Sequence, residues 1–185
     1  MIVYHGSVLI VKKPDVDHSF RPLDFGKGFY VTGNQTQAEK WARRKAQYVK
    51  GSRPVVNCYE MSEISSDLKI KTFPEDLSEW LDFVCDCRDE KDVYQQYDVI
   101  TGRVADDKVM LVVDMYHAGI WDKERAIVEM KVYPYYNQTA FISQSAIDRL
   151  LSFKDAYETK YGTLHRAPAS RASAAKTRCR EEVKA

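Results

Sequence analysis

Apolar and polar positions along the chain predict strands at both ends and helices between them. The opening run Ile2-Val3-Tyr4 is β-prone and passes through His5 into Gly6, where a missing Cβ lets another group reach the backbone. From Val11 to Gly28 the chain is polar and broken by Pro14, Pro22, Gly26 and Gly28, which predicts a long loop or an interrupted helix. Phe29 to Thr32 predicts a second strand. The period then changes: a cap near Asn34 or Thr36 is followed by Ala38, Trp41, Ala42 and Lys45 at helical spacing, with Gly51 as the stop. Arg43, Arg44 and Lys45 read as a solvated basic face of that helix.

Farther on, PVVNCYEM and LKIKTF predict two strands, and Pro74 opens an amphipathic helix with Leu77, Trp80, Leu81 and Val84 on one side. YDVITGRVADD predicts a strand ending in an acidic loop, while KVMLVVDMYHAG suits either a helix or a buried strand. Beyond Asp122, two β-like halves flank Pro134, and SQSAIDRLLSF returns to helical spacing through Ala146, Ile147, Leu150 and Leu151. From Asp155 the chain is poor in large apolar residues and rich in Ala, Ser and Arg, which predicts a mobile or partner-dependent tail. The expectation is an α+β domain over residues 1–154 and a basic tail over 155–185.

Composition narrows the functional classes. The 185 residues are 44% hydrophobic and carry a formal net charge of +1, enough for one packed core and no sign of wholesale nucleic-acid binding. No apolar run approaches the roughly 18 residues that span a bilayer, and the start lacks a basic leader, so no membrane partner is expected. The four cysteines form neither a disulfide framework nor a C-x-x-C pair, which favours the cytoplasm and no metal site. Kinase, Rossmann dehydrogenase and zinc protease motifs are missing as well.

Three short segments carry the candidate chemistry. YHGS places a histidine before a glycine; DFGKGFYVT sets Phe29 and Tyr30 on opposite faces of a strand; YYNQTAFIS brings a carboxamide, Gln138, to the start of another. Taken singly, His5 also reads as a strand-end histidine, either Phe29 or Tyr30 as the cleft-facing ring, and Gln138 as a strand-edge cap.

Together the segments resemble the ADP-ribosyltransferase superfamily, in the branch with a His-Tyr-Glu triad shared by diphtheria-type toxins and poly(ADP-ribose) polymerases. More closely, the chain is similar to an uncharacterised bacterial ADP-ribosyltransferase-like family, DUF3990, through these blocks, the Trp41-Ala42 pair and YDVITGRVADD. The resemblance implies two packed antiparallel or mixed sheets around an NAD+ cleft with flanking helices. It implies that His5, Tyr30 and Gln138 form the catalytic set, with His5 and Ser7 on a ribose, Gly6 on the nicotinamide carboxamide and Tyr30 stacked on its ring. Tyr4, Gly28, Phe29 and Thr32 join the same cofactor-binding set, and Arg21 and Asp24 are candidates for the diphosphate and adenosine side. NAD+ would be the co-substrate, and the acceptor a protein or nucleic acid, as in a bacterial toxin held by an antitoxin or other inhibitor protein.

The chain departs from the triad at Gln138, because a carboxamide can hold a ribose hydroxyl but cannot accept its proton. Mono-ADP-ribosyl transfer with a nucleophile activated elsewhere, by Asp106, Asp107 or Glu129, is therefore expected ahead of polymer elongation. The alternative is a catalytically silent pocket that binds an NAD-type ligand or a partner.

Overall fold

The computed structural model describes residues 1–18, 23–74 and 77–159. Among these residues the architecture is α+β, with two open sheets and five α-helices. The first sheet is antiparallel throughout, in the order β1 (Ile2–Ser7), β3 (Val55–Met61), β7 (Leu151–Glu158). The second runs β2 (Phe29–Val31), β6 (Asn137–Phe141), β5 (Val99–Arg103), β4 (Ile70–Thr72). Its β4–β5 pair is parallel, and the crossover between them carries α2 (Leu77–Arg88).

Alternation along the strands assigns each side chain to a layer. Val3, Phe29, Val31, Tyr59, Val99 and Phe141 meet in one cluster between the sheets, closed by Ile147 and Leu150 of α5 (Gln144–Leu150). Ile100 and Ala140, each next in sequence to a member of that cluster, belong to a second one with Trp80, Leu81 and Val84 of α2. Val109 and Val113 of α3 (Asp107–His117) and Ala126 and Met130 of α4 (Lys123–Lys131) complete it. The two sheets therefore share one apolar interior, and three helices cover the far side of the second sheet.

The helix α1 (Gln35–Tyr48) lies on the other side of the first sheet, capped by Asn34, whose side chain accepts from Gln37 N. Its inward residues Ala38 and Ala42 are small and pack on Val56. Gly6 completes the contact, since a Cβ there would stand 2.2 Å from the Ala38 carbonyl oxygen and 2.8 Å from Ala42 N.

Three expectations are corrected. The stretch before Pro134 is the helix α4, not a β-like half. Asp122 caps it by accepting from Arg125 N, and Ala126 and Met130, four apart, are both fully buried. The acidic loop after β5 is a helix start, because Asp106 accepts from Lys108 N and Val109 N and so selects the helical alternative for α3. Finally, helical spacing stops at Leu150, and residues 151–158 form β7, past the predicted domain boundary. An edge strand needs apolar side chains on one face only, so its sequence looks too polar to read as one. The tail residues 160–185 lie outside the described residues.

Gly6→Ala is expected to cost roughly 2–4 kcal/mol, read as a lower urea midpoint at constant slope, because the added methyl meets helix backbone that cannot rotate away.

Candidate functional site

The sheets are stitched together at one point, where Tyr4 N donates to the Thr32 carbonyl at 2.8 Å and Thr32 N to the Tyr4 carbonyl at 2.9 Å. This pair of bonds lays the ends of β1 and β2 side by side. His5 Nδ1 then donates to the Tyr30 carbonyl at 2.7 Å. A carbonyl only accepts, so Nδ1 carries a proton and is the donor. The ring is 8% exposed and stacks on Phe29 with centroids 4.4 Å apart.

A cavity of about 120 Å³ opens at this seam, and His5, Gly6, Tyr30 and Gln138 all line it. These residues come from β1, β2 and β6, and α1 adds Gln37, Trp41 and Lys45. The strand β2 presents two aromatic rings, and both reach the wall. Phe29 is 1% exposed and belongs to the inter-sheet core, whereas Tyr30 is only partly buried. The Tyr30 hydroxyl is anchored: it donates to the Gly26 carbonyl at 2.7 Å and accepts from Phe25 N at 3.0 Å. Burial, with the Asp24 charge second, pushes its pKa well above the usual phenol range, so it remains a donor. What Tyr30 offers to the cleft is its ring.

Gln138 stands at the start of β6, opposite Gly102 of β5. Its Nε2 donates to Asp24 Oδ2 at 2.7 Å, and the same oxygen accepts from Ala105 N at 2.9 Å. Asp24 is 8% exposed; burial raises its pKa, while its bonds to Ala105 and Gln138 and the Arg88 charge oppose the rise. The carboxylate is thus committed to protein donors behind Gln138, and Asp24 is not among the residues lining the cavity.

The glycines are required for a reason other than ligand approach. The space that a Gly6 Cβ would take is filled by α1, and a Cβ on Gly28 would stand 2.5 Å from the Phe141 carbonyl oxygen. The Gly6 carbonyl is also engaged, since Lys45 Nζ donates to it at 2.8 Å. Lys45 is therefore not part of a solvated face: it is half-buried, lines the cavity, and has a pKa lowered by burial. The stripe Ala38, Trp41, Ala42, Lys45 held the signal for this position. Trp41 of the same stripe also lines the cavity, and Gln37 is a further wall residue that sequence reasoning did not single out.

The remaining candidates scatter. Tyr4 and Thr32 line the cavity, and the Thr32 hydroxyl lies 2.9 Å from Gln37 Oε1. Ser7 is buried, accepts from Leu9 N at 3.4 Å and lies outside the cavity wall. A second cavity of about 420 Å³ adjoins the first, sharing Gln37 and Trp41 with it. Asp106 and Asp107 line this one, with Asp107 paired to Arg44. Glu129 sits on α4 and lines neither cavity. Arg21 lies outside the described residues. The Cys85 and Cys87 thiols are unsuited to attack at neutral pH, because burial pushes Cys85 up to about 11 and Cys87 up to about 12.

An α+β fold with a histidine, an anchored tyrosine and a glutamine converging on the seam between two sheets is the frame on which comparison bears. A family model matches residues 1–153, and the chain belongs to that family, described as a protein of unknown function, DUF3990. Neither a curated protein nor a solved structure matches the chain. Among the described residues no helix is long and apolar enough to cross a membrane.

Tyr30→Phe removes both bonds to the 25–26 loop and is expected to cost about 1–3 kcal/mol. Amide exchange confined to residues 23–28 should quicken with it, as mass spectrometry of exchanged peptides would show.

Proposed function

We propose that the cleft binds NAD+ and that the protein is a mono-ADP-ribosyltransferase of ADP-ribosyltransferase-like fold, acting on a protein or nucleic acid in the bacterial cytoplasm. The observation that carries this reading is convergence: His5, Tyr30 and Gln138, drawn from three distant segments, line one small cavity. Segments matched to a family only by coincidence would have no reason to meet.

The wall residues suit the nicotinamide end of NAD+. The Tyr30 ring, its hydroxyl fixed, is a flat surface for a flat cationic ring. The His5 imidazole and the Gln138 carboxamide supply polar atoms for sugar hydroxyls. Bound NAD+ would supply the cleavable nicotinamide–ribose bond. Pockets for whole cofactors run to roughly 300–1,000 Å³, so the first cavity suits the ring end and the adjoining one the remainder. Lys40, Arg44 and Lys108 in that second cavity favour a diphosphate there. A role as a toxin restrained by an inhibitor protein belongs to the same proposal.

Lys45 favours a second reading. Its ammonium occupies the carbonyl that a nicotinamide carboxamide would pair with, and it sets a cation in a pocket meant for a cationic ring. With a carboxamide at the third triad position, this suits a pocket that binds a ligand without turning it over.

The test is purified protein with labelled NAD+ and bacterial lysate, with and without nuclease, following nicotinamide release and label transfer. Transfer that falls roughly 100-fold or more in His5→Ala and in Tyr30→Ala is expected. NAD+ binding by calorimetry without release or transfer would establish the silent pocket instead, and neither binding nor turnover would end both readings.

A further inference from the structure

The carboxylate missing from position 138 has not left the neighbourhood. We propose that Asp24 is a positioning residue for Gln138: it holds the carboxamide by Nε2, so that Oε1 is the atom presented to the cleft. The use of that acceptor in ADP-ribosyl transfer rests on the NAD+ reading above; the orientation itself does not.

A glutamine amide can ordinarily turn over and exchange its oxygen for its nitrogen at little cost. At this site the two arrangements are far from equal. Asp24 Oδ2 already accepts from Ala105 N at 2.9 Å, and it lies 2.7 Å from the Gln138 amide. With Oε1 turned inward, two electron-rich oxygens would face each other in a buried setting, and the Gln138 N–H donor would be lost. With Nε2 inward the Asp24 oxygen keeps a second donor, and the carbonyl end is left for the cavity that Gln138 lines. An amide that gives its N–H to a carboxylate also becomes a better acceptor at oxygen, since bonds in a chain polarise one another.

The pair therefore delivers part of what a lone carboxylate would deliver: a fixed acceptor oxygen turned to the cleft. It does not accept a proton. The arrangement also explains why position 138 is not a glutamate in this chain. A carboxylate there would stand against Asp24 at hydrogen-bond distance, and one of the two would have to take a proton or move away. The residues at 24 and 138 are a matched pair, though 114 positions separate them in sequence.

The experiment is solution NMR of the 15N-labelled protein, reading the side-chain NH2 signals of Gln138, assigned by their loss in Gln138→Ala. Two well-separated, slowly exchanging amide protons are expected in the native protein. In Asp24→Ala they should collapse to the values of a free glutamine, and in Asp24→Asn, whose oxygen can still accept, they should remain apart. Nicotinamide release, if present, should fall roughly tenfold in kcat for Asp24→Ala and much less for Asp24→Asn. A structural staple alone would move stability without this split. Gln138 signals that are the same in native protein and Asp24→Ala overturn the proposal, as does an Asp24→Asn protein no better than Asp24→Ala on the amide readout. Failure of the native protein to bind or cleave NAD+ would remove the transferase reading while the amide signals still decide the orientation. If Asp24→Ala does not fold, Gln138→Glu is the second arm: its lowered unfolding midpoint should be restored by adding Asp24→Asn, and strictly additive losses would overturn the pairing.

Discussion

Two backbone hydrogen bonds between Tyr4 and Thr32 hold the first sheet to the second, and the cleft depends on them. They fix β1 beside β2, and the His5 bond to the Tyr30 carbonyl lies just beyond. Side chains pointing inward from this seam, Val3, Phe29 and Val31, enter the common core. The next residues along, Tyr4 and Tyr30, turn the other way and become cleft wall. Phe29 and Val31 reach both the core and the cleft wall, so one short strand serves the interior and the site together.

Much of this was legible because the relevant signals are local. Strand alternation at β2, β3 and β5 and the helical period of α1 and α2 each read within a few residues. What escaped reading depends on distant partners. β7 is recruited by pairing with β3, and its own residues carry little β signal beyond Leu151 and Phe153. α4 was hidden by the adjacent β-branched Ile127 and Val128, of which Val128 faces out; the burial of Ala126 and Met130 against α2 and α3 decides the helix. The same holds for the site. The three motif residues could be named from sequence, but the Asp24 bond to Gln138 and the Lys45 bond to the Gly6 carbonyl connect residues with no pattern between them.

Buried polar groups around the cleft are partnered with unusual economy. Tyr59 donates to the Val11 carbonyl, Asn57 bridges Leu9 and Val11, and Asp24 joins the loop before β2 to the junction after β5. The first two tie irregular backbone to β3, and the third ties two irregular segments to each other. The long polar segment before β2, which has no ladder of its own, is thereby held at both described ends, and Tyr30 has a firm edge to lean on.

The order of the cleft's parts along the chain has a consequence for synthesis. Its walls are drawn from the first quarter of the sequence and from β6, and the first sheet acquires its last strand only with residues 151–158. Such non-local pairing is slow to form and waits on the full length of chain. A nascent chain emerging from the ribosome carries no assembled cleft until nearly the whole domain is out, so the site comes into being late and all at once, and a product stopped short of Gln138 lacks it altogether.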